Sequence, residues 1–109
     1  MNIGPAIKMI RKQLGVTQEE LSRITSISQT SLSKIESGTK PSEKNLKKIC
    51  AALEVPPSVI YIMGMEESDV PVSKKKMYDL LFPSIRNLAL EIVGSSNKKL
   101  ISKSHSKNN

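Results

Sequence analysis

The chain has 109 residues, enough for one domain or a small domain with an appendage. It is 38% apolar and 25% charged, with two Tyr, one Phe and no Trp, so its core must be built from Ile, Leu and Met. That excludes an aromatic stacking platform for single-stranded nucleic acid, while the net charge of +7 suits a polyanionic partner.

Ile3, Ile7, Ile10 and Leu14 recur at helical spacing, which predicts an amphipathic first helix. Pro5 is tolerated in its first turn and Gly15 ends it. Thr17 and Glu20 form the T-x-x-E signature of a capping box and open a second helix, with Leu21 and Ile24 facing inward. Thr25-Ser26-Ile27 is the turn. Ser28 caps a third helix running to Ser37, with Leu32 and Ile35 inward and Gly38 at its end. Ser42 follows Pro41 and caps a fourth helix, striped by Leu46, Ile49, Cys50 and Leu53. Pro56-Pro57 stops it and starts a fifth, Ser58 to Met63, closed by Gly64. Residues 1–64 thus make one all-α, five-helix domain, with no strand signal and no internal repeat.

Composition then shifts. Residues 65–76 hold three acids, Pro71 and the run Lys74-Lys75-Lys76, and are expected to be a flexible linker. Residues 77–93 form an amphipathic helix, with Met77, Leu81, Ile85, Leu88 and Ile92 on one face. Pro83 lies inside this pattern and is expected to kink or split it. Residues 94–109 carry Ser, Asn and Lys with little to bury, and a disordered basic tail is expected.

The string from Thr17 to Gly38, TQEELSRITSISQTSLSKIESG, followed by KPS, resembles the Cro/repressor-type helix-turn-helix domains of phage repressors and Xre-like bacterial regulators. The likeness covers about Ile3 to Met63. It implies that Gln29, Thr30, Ser33 and Lys34, just inside the third helix, read base edges. The chemistry is coherent: Gln bonds an adenine edge, Lys donates to guanine acceptors, and a Thr methyl meets a thymine methyl. The bland alternative for these four is a solvated helix face. The resemblance also implies phosphate contacts from Gln18, Ser28, Lys40, Ser42 and Lys44, at helix starts where free N–H groups attract anions. For the lysines the alternative is ordinary surface charge. Arg11 and Glu36 match an ion pair that ties the first helix to the third in some members. Two positions depart from the pattern: Ser22 stands where Ala is usual, and Ser26 where Gly is usual. If the turn needs positive φ, Ser26 strains it by about 1 kcal/mol.

The function so implied is a sequence-specific, double-stranded DNA-binding transcriptional regulator, a repressor acting as a homodimer. Leu81, Ile85, Leu88 and Ile92 step by four, three and four, and are the expected dimerisation seam. The alternative is an antitoxin or interaction module that holds a partner protein and binds DNA secondarily. A third reading is nonspecific nucleic-acid binding through the basic tail. No enzyme activity, metal or cofactor is expected: no nucleophile has a plausible base, and no phosphate loop is present. His105 stands alone in the tail, and Cys50 lies on an apolar stripe, where it is a small core hydrophobe. The single cysteine, the absence of an 18-residue apolar run, and Lys8, Arg11 and Lys12 breaking up Ile3 to Leu14 lead one to expect a cytoplasmic chain without a membrane span.

Overall fold

The computed structural model describes residues 1–94, so the expected basic tail lies outside the described residues apart from Gly94. The elements are α1 (Ile3–Gln13), α2 (Gln18–Thr25), α3 (Gln29–Glu36), α4 (Glu43–Leu53), α5 (Pro57–Gly64) and α6 (Lys75–Val93). Two short 3-10 turns, Glu67–Asp69 and Val72–Lys74, precede α6, and no strand occurs among the described residues. The fold is all-α: a helix-turn-helix domain with a C-terminal helix.

Local chemistry sets most boundaries. Thr17 Oγ1 accepts from the Glu20 N–H at 3.0 Å, and the Glu20 carboxylate accepts from the Thr17 N–H at 2.9 Å. Ser28 and Ser42 cap α3 and α4 by accepting from the N–H groups of Ser31 and Asn45, each at 3.1 Å. The end of α4 differs from expectation. Glu54, not the Pro pair, terminates it by taking a left-handed conformation at φ 54°. Pro57 then fills the first position of α5, where a missing N–H costs nothing.

The core is aliphatic. Ile7 and Ile10 of α1, Leu21, Leu32, Ile49 and Ile60 are sealed from solvent. Each such side chain contributes about 1.5–3 kcal/mol, which is what holds helices too short to persist alone in water. Cys50 is part of this core, and burial pushes its thiol pKa up.

α1 is the central element, packed against both α5 and α3. Its contact with α3 depends on Gly4: a Cβ built there would overlap the Ile35 carbonyl oxygen. Gly64 serves the opposite side of the N-terminus, where its carbonyl accepts from the Asn2 N–H at 2.7 Å and a Cβ would crowd the Asn2 carbonyl.

The segment before α6 is not an open linker. The Met1 amino group donates to Asp69 at 2.6 Å, which raises the pKa of the amine and, with the Glu66 N–H, lowers that of the Asp69 carboxyl. Lys75 pairs with Glu67 at 3.2 Å across the two turns. α6 begins at Lys75, two residues earlier than the apolar pattern begins, and runs through Pro83 without a break. Proline removes one helical hydrogen bond and crowds the preceding turn. Packing on both sides of the site offsets that: Tyr78 stacks on Phe82, centroids 4.7 Å apart, and Ala89 and Val93 enter the core. Gln13 of α1 secures the far end, its Nε2 donating to the Gly94 carbonyl at 2.6 Å. The face with Leu81, Ile85, Leu88 and Ile92 points to solvent.

Gly4→Ala tests the α1–α3 approach. In an open helix this change gains about 1 kcal/mol of helix propensity. Here the overlap with backbone is expected to dominate, at a net cost of about 2 kcal/mol or more in urea unfolding. A variant as stable as the parent would mean that α1 and α3 are further apart.

Candidate nucleic-acid interface

α3 has eight residues, and its side chains divide sharply. Leu32, Ile35 and Glu36 are buried, while Gln29, Thr30, Ser33 and Lys34 are exposed. At 100° per residue these four cover an arc of roughly 140°. The outward arc is entirely polar, with amide, hydroxyl and ammonium groups that match base-edge donors and acceptors.

The turn before α3 sets its direction. Ser26 takes the left-handed conformation at φ 60°, at a cost of about 1 kcal/mol for a residue with a Cβ. Two neighbours offset the strain. Ser22 Oγ donates to the Ile27 carbonyl at 2.6 Å. Buried Thr25 accepts from the Ile27 N–H at 3.2 Å and donates to the Leu21 carbonyl at 2.7 Å. Bonds of this kind contribute about 0.5–1.5 kcal/mol each. Ser22, where Ala is usual, is therefore part of the turn's bracing.

Glu36 anchors the far end of α3. Arg11 Nε and Nη2 donate to its two carboxylate oxygens at 2.7 and 2.9 Å, and both side chains are almost fully buried. Arg11 Nη1 also donates to the Val16 carbonyl at 2.9 Å. Gln18 completes the cluster, its Nε2 donating to Glu36 Oε1 at 3.2 Å. Three helices thus meet at one carboxylate.

The proposed phosphate-contacting residues have different standings. Lys40 and Lys44 are exposed, Lys40 beside the N-terminus of α1 and Lys44 in the first turn of α4. The Ser28 and Ser42 oxygens act as helix caps, and Ser28 also donates to Ser31 Oγ at 2.9 Å. Ser42 keeps its hydroxyl hydrogen for an outward bond. Gln18 is half-buried and spends one amide hydrogen on Glu36, leaving the other at the start of α2.

Sequence reasoning missed the Gln18–Glu36 bond, the Ser22–Ile27 bond and the close approach at Gly4. Only the last had a signal, since glycine inside a helix requires a reason such as backbone contact.

Residues 7–60 match the helix-turn-helix family model. No curated protein and no solved structure matches the chain. Residues 7–60 are thus a helix-turn-helix domain of the Cro/C1 type, and the match supports a DNA-binding regulator. Among the described residues no helix is long and apolar enough to cross a membrane.

The Arg11–Glu36 pair gives a test of what holds α3. Arg11→Met alone strands a buried carboxylate and is expected to cost about 3–5 kcal/mol. Arg11→Met with Glu36→Leu removes both charges and is expected to recover most of that stability. DNA affinity of the double variant is expected to stay low, because the angle of α3 is no longer fixed. Unfolding curves and duplex titrations on both variants measure this; full recovery of binding would show that the pair does not set the angle.

Proposed function

We propose that this chain represses transcription by occupying an operator as a homodimer, each copy laying α3 in the major groove of double-stranded DNA. The observation that carries this reading is the wholly polar, exposed arc of Gln29, Thr30, Ser33 and Lys34 on a helix anchored from behind by Leu32, Ile35 and Glu36. A helix that presents such an arc and is fixed at both ends suits base reading. Lys40, Ser42 and Lys44 on one side of α3 in sequence, and Gln18 and Ser28 on the other, supply donors for phosphates, which fix register without reading sequence. A protein seated on a promoter site excludes other proteins from it, so binding alone accounts for repression.

The dimer follows from size and from an exposed surface. One short helix reads few base pairs, too few to select a genomic site. Two copies on a two-fold axis double the site, with half-sites about 34 Å apart. The surface is the outer face of α6, where Leu81, Leu88 and Ile92 are 50%, 63% and 54% exposed. Apolar side chains so arranged along one helix face call for cover.

Two side-chain removals separate reading from positioning. Gln29→Ala is expected to cost about 1–3 kcal/mol on the selected site and to relax discrimination at one base pair. Lys40→Ala is expected to weaken selected and random duplexes alike and to reduce the salt slope of log K by about one. Titrations at several salt concentrations on matched and mismatched duplexes decide both. If Gln29→Ala loses equally on every duplex, Gln29 is no reader.

The dimer is tested without truncation, because deleting α6 would also take Ala89 and Val93 from the core. Leu81→Asp with Leu88→Asp changes only exposed positions. Sedimentation is expected to move from dimer to monomer, with at least tenfold weaker binding to a palindromic site. A variant that still sediments as a dimer places the contact elsewhere. A parent chain that is already monomeric assigns the stripe to a partner protein, the interaction-module alternative.

A further inference from the structure

The outer face of α6 is not uniform along its length. Beside its N-terminal half runs a groove of about 280 Å³, walled by Met65 and Val70 and floored by Met77, Leu81, Phe82 and Ile85. The wall belongs to the 65–74 segment, which ends where α6 starts. The stripe is similarly exposed along its length, but Leu88 and Ile92 of the C-terminal half do not line the groove and lie outside its wall. One helix therefore carries a hollow at one end and a ridge at the other.

From this asymmetry, and resting on the homodimer reading above, we propose that two copies pair their α6 helices antiparallel, each placing Leu88 and Ile92 in the other's groove. A two-fold dimer applies the same patch to itself. In a parallel pair, groove would meet groove and ridge would meet ridge, leaving voids at one end and crowding at the other, which close-packed interfaces do not tolerate. In an antiparallel pair every hollow meets a ridge. Met77 lies opposite the partner's Ile92, Leu81 opposite the partner's Leu88, and Ile85 near the axis opposite the partner's Ile85. The four-, three- and four-residue steps of the stripe make this alignment nearly symmetric about Ile85.

Charge points the same way. Lys74 lines the groove and immediately precedes the first turn of α6. Antiparallel pairing holds the two Lys74 ammonium groups at opposite ends of the contact and opposes the two helix dipoles. Parallel pairing would set two lysine runs side by side. A small-molecule ligand fits the groove less well. Such sites hold a few convergent polar groups that orient the ligand, and this lining offers one charged side chain, Lys74.

Cross-linking of the full-length chain with a short bismaleimide tests the pairing. Single substitutions Met77→Cys, Ile85→Cys and Ile92→Cys are each made with Cys50 left in place, since it is buried and the unaltered chain serves as control. The expected result is a covalent dimer from Ile85→Cys alone and from a re-equilibrated mixture of Met77→Cys and Ile92→Cys chains. Met77→Cys or Ile92→Cys alone is expected to give little or none. Covalent dimer from each of those two alone would establish a parallel pair and overturn the proposal. A chain that sediments as a dimer yet cross-links at none of the three positions overturns it as well, while leaving the homodimer reading intact. A parent chain monomeric at tens of micromolar defeats the homodimer reading itself, and leaves the groove to another protein or a small apolar ligand.

Discussion

The structure turns on the carboxylate of Glu36. It lies at the end of α3 and receives Arg11 from α1 and Gln18 from α2. A buried ion pair of this kind gives little net stability over an apolar packing of the same shape. Its value here is geometric. Three donors in fixed directions leave α3 one orientation, whereas the aliphatic contacts of Leu32 and Ile35 would tolerate sliding and rotation. The N-terminal end of α3 is fixed by other means, the braced turn at Ser26 and the Ser28 cap. An eight-residue helix has no persistence of its own, so its function is inherited from these two clamps.

α1 carries the coupling further. Arg11 faces α3, and Gln13, two residues on, holds the last carbonyls of α6. Gly4 on the same helix admits the Ile35 carbonyl at close range. Helices α3 and α6 are thus fastened to one short rod. The flexible linker anticipated between residues 65 and 76 would have uncoupled them. In its place stand two 3-10 turns held by the Met1–Asp69 and Lys75–Glu67 contacts. For a dimer this favours a single half-site spacing over a range of them.

How much of this was legible depended on range in sequence. Thr17-Glu20, Ser28 and Ser42 are caps acting over three residues, and they marked helix starts correctly because the chemistry is local. The stripes Ile3-Ile7-Ile10-Leu14 and Leu46-Ile49-Leu53 marked buried faces because periodicity needs no partner to be recognised. Glu54 was illegible as a helix stop, since glutamate seldom adopts positive φ and two prolines nearby gave a more conventional signal. The bonds of Gln13 and Gln18 span distant or different helices, and nothing about a glutamine indicates what it will meet. The polar arc of α3 was readable as an arc.

α6 was the hardest element to orient, and its orientation carries a physical point. Both its faces are apolar enough to be buried, one with Met77, Leu81, Ile85, Leu88 and Ile92, the other with Ala89 and Val93. Periodicity identified the first because it is the more hydrophobic. The domain took the second, because Ala89 and Val93 are small and let α6 come close to the helices beneath it. A chain that needed α6 only as a lid would gain more by burying the leucines, at about 25 cal/mol per Å² of apolar surface removed from water. In the C-terminal half of α6 the small Ala89 and Val93 face in, and the larger Leu88 and Ile92 face out. That inversion leaves apolar area in water at a cost, and the cost is recovered only if another surface covers it. The exposed stripe is therefore better understood as half of a contact than as a defect of packing.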